Sequence, residues 1–464
     1  MPRVPAVPPC RASRRRIVLR AAATCAAALA ACWAQADGAT SGWRVQTIGH
    51  HEAVFERALA LLPGGRLALS TDDLINGECN HGGVATGRPG GRFAFMPLNA
   101  DPVEAVDAQG GGPVPETGGF ALLARVGSAR DCDSGRIALL HRTALGRARG
   151  QVTLTAPGVA IAASDLAADG NGGLIAGWVE TAPDDQRAAA ASPAGDVVKL
   201  AAIAAGATTA RTVTVATRDD SSSGVAVAPD RRGGILVVYA DNAIVVARDV
   251  GADGTVGAPI VVSSDASLGF TFVVAGTSAS GGALVAWETF TDRGRTRRVY
   301  AATRPDDTSP FSAPKLLDAH GPRLSAFTLP LHLAVNAGGR AVLQWADMAF
   351  LSEDAKPQPP GPVKAVVGDV AHGFGRVTLL APRGFVGAVA IDDDGNAATA
   401  WTTRRGEYAA TASPTSGTLG PPQRVGPAPG EVTGLVVAGG QPMIASASTS
   451  GRAGAPVDLL ATRR

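Results

Sequence analysis

Val389-Ala390-Ile391-Asp392-Asp393-Asp394-Gly395-Asn396-Ala397-Ala398-Thr399-Ala400-Trp401 reads as two short apolar strands around a tight turn. Arg404-Arg405-Gly406 makes a polar loop, and Tyr408-Ala409-Ala410-Thr411-Ala412 is a third strand. A turn over 413–420 leads to a fourth, Gln423-Arg424-Val425. Glycine, aspartate and asparagine collect in such turns because they tolerate positive φ or hydrogen-bond their own backbone. Four strands joined by three turns make one self-contained antiparallel unit.

The unit recurs. Gly64, Gly119, Gly172, Gly233, Gly281, Gly339, Gly395 and Gly440 are each followed by an apolar run ending six residues later. In five units that run closes on an aromatic: Trp178, Tyr239, Trp287, Trp345 and Trp401. Successive glycines lie roughly 45 to 61 residues apart, the spacing of propeller blades. The second strands, such as Ile235-Leu236-Val237-Val238-Tyr239, are continuously apolar rather than alternating, so both faces are buried. Radial sheets wedged between neighbours require that. The tryptophans recur at equivalent strand ends, which predicts packing between units with the indole N–H finding an acceptor. Helical periodicity is absent outside the leader.

The ends decide closure. Leu459-Leu460-Ala461-Thr462-Arg463 aligns with a third strand, and no fourth follows it. Trp43-Arg44-Val45-Gln46-Thr47-Ile48 is a strand ahead of the first unit. Placing one beside the other completes the last sheet and removes an exposed edge. The expected fold is all-β: an eight-bladed β-propeller over 43–464, its four-stranded blades closed by the N-terminal strand. Seven blades is the alternative if the weak second unit, 103–156, is misparsed.

Residues 1–36 read as a cleaved export signal. Arg11, Arg14, Arg15, Arg16 and Arg20 precede an alanine-rich run, and Ala34-Gln35-Ala36 supplies the small residues for cleavage. The run is about 11 residues, short of the about 20 that cross a bilayer. Ser13-Arg14-Arg15-Arg16 is similar to a twin-arginine signal, and Leu29-Ala30-Ala31-Cys32 to a lipobox, in which Cys32 would carry the lipid. The expected location is therefore outside the cytoplasm, secreted, periplasmic or at the cell surface, with or without a lipid anchor. Cys79 and Cys132 are the cysteines left in the mature chain. They fall in the same loop of neighbouring units, which makes them a disulfide candidate in an oxidising compartment. A formal net charge of +2 gives no basic footprint for nucleic acid.

With its repeats laid out, the mature chain resembles exported bacterial β-propeller repeat proteins of unassigned function. Asp392-x-x-Gly395-Asn396 with Trp401, and Tyr300-Ala301-Ala302-Thr303-Arg304-Pro305, carry the resemblance. It implies an architecture and no activity. Sialidases place the Asp-box glycine three residues before tryptophan, whereas the spacing here is six. Quinone-dependent dehydrogenases carry a tryptophan docking motif in each blade, and its Thr-Gly step is missing here.

Propellers gather ligands on the face that carries the second-to-third strand loops and the unit-to-unit connections, a fold-level analogy. On that face stand Asp72, Asp73, Glu78 and His81, then Asp131 and Asp133, then Asp184 and Asp185, then Glu288, Asp292, Arg293 and Arg295. His50 and His51 open the first unit. Asp72, Asp73, His81, Asp131 and Asp133 are the candidate ligand-binding residues. Such acidic loops offer the oxygen ligands that Ca²⁺ takes. Asp392-Asp393-Asp394-Gly395-Asn396 is a turn, because the distal glutamate of a calcium loop is missing. No catalytic set and no metal site is assigned. The expected function is a monomeric binding or scaffold module for a protein or glycan. The alternative is a polysaccharide hydrolase or lyase using rim carboxylates such as Asp73, Asp131 and Asp133, which needs a pair about 5 to 10 Å apart.

Overall fold

At the turn that opens the repeat, Gly395 adopts φ 87°, a left-handed conformation open to glycine at little cost. The equivalent anchor glycines share it, with one exception. In the weak second unit Gly118 takes the positive φ, and a Cβ on Gly119 would lie 1.8 Å from the Arg142 carbonyl.

The computed structural model describes residues 42–50, 58–71, 82–98, 104–128, 131–181, 195–218, 224–241, 244–264, 271–291, 296–320, 331–346, 361–426, 430–448 and 457–463. They form eight antiparallel sheets. Blade 1 is Leu59–Leu62, Arg66–Thr71, Gly83–Gly87 and Ala94–Pro97. Blade 2 is Glu104–Glu116, Gly119–Ser128, Asp131–Thr143 and Ala148–Thr153, so the second unit is a true blade. Blade 3 is Ala160–Ala168, Leu174–Thr181, Asp196–Ile203 and Arg211–Arg218. Blade 4 is Val225–Pro229, Ile235–Asp241, Ile244–Val250 and Ile260–Ser263. Blade 5 is Thr271–Thr277, Ala283–Thr291, Thr296–Arg304 and Lys315–His320. Blade 6 is His332–Val335, Arg340–Ala346 and Val363–Asp369, its outer edge shared by Gly373–Phe374 and Thr378–Ala381. Blade 7 is Phe385–Ile391, Ala397–Thr403, Gly406–Ala412 and Gln423–Gly426.

Blade 8 carries the closure. Its strands run Gly430–Ala438, Gln441–Ser448 and Val457–Arg463, and Trp43–His50 joins the last as the fourth. Val45 and Leu460 therefore share a sheet, as the terminal strands required. First strands of successive blades touch all the way round, blade 8 with blade 1 included. The protein is an eight-bladed β-propeller.

The core lies between blades rather than within them. One apolar cluster joins Trp178 of blade 3 to Leu123 and Leu139 of blade 2, and another joins Trp287 of blade 5 to Val238 and Val262 of blade 4. Trp345 and Trp401 fill the next seams in the same way. Each such ring buries 150 to 250 Å². Two of the indole N–H groups find carboxylates: Trp178 Nε1 donates to Glu180 at 2.9 Å and Trp345 Nε1 to Asp318 at 2.8 Å. Trp287 Nε1 finds no partner among the described residues, and its ring stacks on Tyr300, centroids 5.7 Å apart.

Near the axis the blades converge until there is no room for a side chain. A Cβ on Gly276 of blade 5 would lie 2.3 Å from Val335 of blade 6. On Gly387 of blade 7 it would meet Val432 of blade 8 at 2.6 Å, and on Gly434 of blade 8 it would meet Leu59 of blade 1 at 2.5 Å. Polar side chains then catch backbone N–H groups of the next blade's first strand. Asp165 Oδ2 accepts from Val227 N at 2.8 Å, Gln344 Oε1 from Gly387 N at 3.3 Å, and Thr402 Oγ1 from Val432 N at 3.0 Å. Burial pushes the Asp165 carboxyl up, opposed by the N–H groups of Val227 and Leu166.

Two outcomes follow from this packing. Gly434→Ala, whose new methyl also meets the Leu59 backbone, is expected to cost about 1–3 kcal/mol as overpacking, read from guanidinium melts. Deleting residues 43–50 is expected to leave the Val457–Arg463 edge open, giving oligomers or unfolded chain on size-exclusion chromatography. A monomeric truncation with an unchanged melting temperature would contradict the closure.

Candidate functional site

Alternation of strand direction assigns every connection to one of two faces. The lower face carries the first-to-second and third-to-fourth hairpins. The upper face carries the second-to-third connections and those between blades, including the long stretches 72–82, 182–195 and 347–362.

Hairpins of the lower face are tied to one another. Asp392 Oδ1 accepts from Asn396 N at 2.8 Å, which makes Asp392 to Asn396 a structural turn, as its sequence indicated. Its Oδ2 accepts from Gly440 N of blade 8 at 2.8 Å. Asn336 Nδ2 of blade 6 donates to the Asp392 carbonyl at 2.9 Å. Arg340 donates to the carbonyls of Ser413 at 2.7 Å, Ser416 at 2.5 Å and Pro414.

Beneath the upper face runs a belt of buried and half-buried charge at the strand ends. Lys199 Nζ meets Glu180 Oε2 at 2.7 Å, and Arg218 Nη2 lies 3.7 Å from Asp196 Oδ2 with both side chains inaccessible. Glu288, fully buried, takes Arg297 Nη2 at 2.8 Å. Lys364 Nζ of blade 6 bridges both oxygens of Asp318 of blade 5, at 2.8 and 2.7 Å. Two of the arginines also cross a seam. Arg218 donates to the Ala240 carbonyl of blade 4, and Arg297 to the Ala346 carbonyl of blade 6. Each acceptor directly follows the aromatic near the end of the next blade's second strand. Breaking such a pair strands a buried charge, so the belt holds the strand ends beneath the connections in fixed positions.

Glu288 thus belongs to the belt rather than to a loop. The expectation of a rim residue fails because the second strand of blade 5 runs on to Thr291. Asp131, Cys132 and Asp133 also leave the loop expected of them. They begin the third strand of blade 2, with Asp131 opposite Ser128 in a tight hairpin. Asp72, Asp73, Glu78, Cys79, His81, Asp184, Asp185, Asp292, Arg293, Arg295 and His51 lie outside the described residues, as do Cys32 and the export signal. Among the described residues no cluster of His, Cys, Asp or Glu is arranged to hold a metal. The belt had one legible signal: charged residues such as Asp196, Arg297 and Lys364 standing at the upper ends of otherwise apolar strands.

Two titratable groups depart from their ordinary behaviour. Burial lowers His332, on the inner strand of blade 6, to about 4, so its imidazole is neutral near neutral pH. Burial pushes Glu407 up to about 7, against a hydrogen bond from the Ser446 hydroxyl of blade 8. Both are strained only in their charged forms.

No family model matches the sequence. No curated protein matches it. Solved structures of similar shape are propellers of several kinds. The Dos1 propeller is 12% identical, covering 77% of this chain and 92% of its own, with a TM-score of 0.43. The Cps50 (Swd1) β-propeller domain of Myceliophteria thermophila is 11% identical over 90% of this chain and 99% of its own, TM-score 0.43. The GH93 α-L-arabinofuranosidase of Fusarium graminearum, in complex with arabinobiose, is 11% identical over 90% and 98%, TM-score 0.39. These likenesses carry nothing about ligand or chemistry.

Glu407 makes a pH test of the blade 7–blade 8 seam. Its folded value of about 7 lies above the ordinary 4.5, so its contribution is full below pH 4.5 and lost as pH rises through 7. The loss amounts to about 3 kcal/mol. Glu407→Gln is expected to remove that decline, bringing urea midpoints at about pH 4 and about pH 8 closer together than in the parent.

Proposed function

We propose that the protein is an exported, monomeric propeller whose upper face binds a protein or glycan ligand. The observation that carries this reading is the segregation of connections. The long stretches 72–82, 182–195 and 347–362 all leave from one face, and in blades 3, 5 and 6 the strand ends beneath it are fixed by the charge belt. On the opposite face the hairpins of blades 6 to 8 are bonded to one another across the seams. Variable connections on a rigid ring are where binding residues concentrate, because a loop can change without disturbing the core. The signal sequence at 1–36 supports export, and Cys32 supports a lipid anchor as one form of it. Asp72, Asp73, His81, Asp131 and Asp133 are the acidic and imidazole groups proposed for the ligand, with Ca²⁺ as a candidate addition.

A thermal-shift screen of the mature protein against glycans, cell-wall fragments and divalent ions tests the reading. A ligand at 100 times its Kd is expected to stabilise the fold by about 2.7 kcal/mol through mass action. Replacing 347–362 by a short Gly-Ser link should then remove the shift without lowering the melting temperature of the free protein. Polysaccharide cleavage abolished by Asp73→Asn, Asp131→Asn or Asp133→Asn would instead make the upper face catalytic.

A further inference from the structure

The first-to-second hairpin of blade 3 departs from its equivalents at one bond. In blades 4 to 7 the anchor glycine closes the turn, its N–H donating to the carbonyl three residues earlier. Gly233 donates to Asp230, Gly281 to Ser278, Gly339 to Asn336 and Gly395 to Asp392, at 2.9 to 3.4 Å. In blade 3 the anchor is Gly172, φ 87°, and its N–H donates to nothing among the described residues. Asp169 holds this turn instead, its Oδ1 accepting from Asn171 N at 2.7 Å and Gly173 N at 2.8 Å. The peptide nitrogen between those two donors is left free.

Asn171 precedes that nitrogen, in the one Asn-Gly step among the described residues. Its side chain is exposed and makes no hydrogen bond to a described residue. The other described asparagines are held, and each is followed by alanine. Asn336, 8% exposed, accepts from Arg340 N at 3.0 Å and donates to the Asp392 carbonyl at 2.9 Å. Asn396 Nδ2 donates to the two oxygens of Asp392 at 3.1 and 3.0 Å. Among them only Asn171 sets an unbonded carboxamide beside an unbonded peptide N–H, and the glycine adds no Cβ to block their approach.

We propose that Asn171 deamidates in the folded protein, with water as the co-reactant. Gly172 N loses its proton to solvent base and bonds to Asn171 Cγ. The Cγ–Nδ2 bond breaks, and Nδ2 takes up a proton and leaves as ammonia. Water then opens the five-membered imide. Addition at Cγ yields aspartate; addition at the Asn171 backbone carbonyl carbon yields isoaspartate, with the chain rerouted through Cγ. Either product places a carboxylate on the lower face. The iso form also adds one backbone atom between the two N–H groups that Asp169 gathers.

The test is to age the mature protein in mildly alkaline heavy-oxygen water, digest it with trypsin in ordinary water and map the peptides by mass. The peptide 150–187 is expected to gain the labelled oxygen and resolve into two products, the isoaspartate one accepting a methyl group from an isoaspartyl methyltransferase. Peptides carrying Asn336 and Asn396 are expected to stay unmodified. Asn171→Gln, which needs a slower six-membered closure, should remove both products while melting as the parent does. The native rate is expected to lie within about tenfold of the rate in urea, because no global opening is required. A native rate more than about tenfold below that in urea, or reaction at Asn171 no faster than at Asn336, would overturn the proposal.

Discussion

Close approach of neighbouring blades at the inner wall is the constraint on which the ring depends. Eight wedges leave almost no space between first strands, so Gly276, Gly387 and Gly434 stand where any side chain would collide with the next blade. The same narrowing brings backbone N–H groups within reach of Asp165, Gln344 and Thr402. Farther out the wedges spread, and tryptophans fill the added width. Steric exclusion near the axis and large rings farther out are two consequences of one radial geometry. Interior packing tolerates neither a void nor an overlap, which is why both residue types recur at matching positions.

The two faces solve different problems. The lower one bonds hairpin to hairpin, through Asn336, Asp392 and Arg340, and so ties blades 6 to 8 to one another. Beneath the upper one, strand ends are fixed by charge pairs, of which Lys364–Asp318 crosses a seam, and by arginines that reach a carbonyl of the next blade, so the connections above can differ in length without moving the ring. Buried pairs of this kind contribute little net stability, yet they are costly to break singly. They suit a platform whose task is to hold position.

The repeat itself was legible because it is local. A turn glycine, an apolar run and an aromatic six residues on all fall within one hairpin, and the missing fourth strand at the C-terminus pointed directly to the N-terminal one. Features that arise between blades left no such trace. Glu288 and Arg297 sit on one hairpin, but nothing in their order says that the strand continues past them into the interior. Gly276 and Val335 come from successive units, as do Asp318 and Lys364, and their meeting depends on how one sheet leans on the next. Asp230 and Asp392 close the same kind of turn, but the bond from Gly440 N to Asp392 Oδ2 depends on how blade 8 leans on blade 7.

Strand Trp43–His50 has a consequence for biogenesis. It is synthesised ahead of every blade, yet its partner, Val457–Arg463, is made last. Blades can form one after another on the growing chain, but the circle cannot shut until Val457–Arg463 has been made, and joining strands so far apart in sequence is slow. Until then the eighth sheet offers a bare edge to any passing strand. A cell making this protein must therefore guard an unfinished ring by shielding that edge until the two closing strands meet.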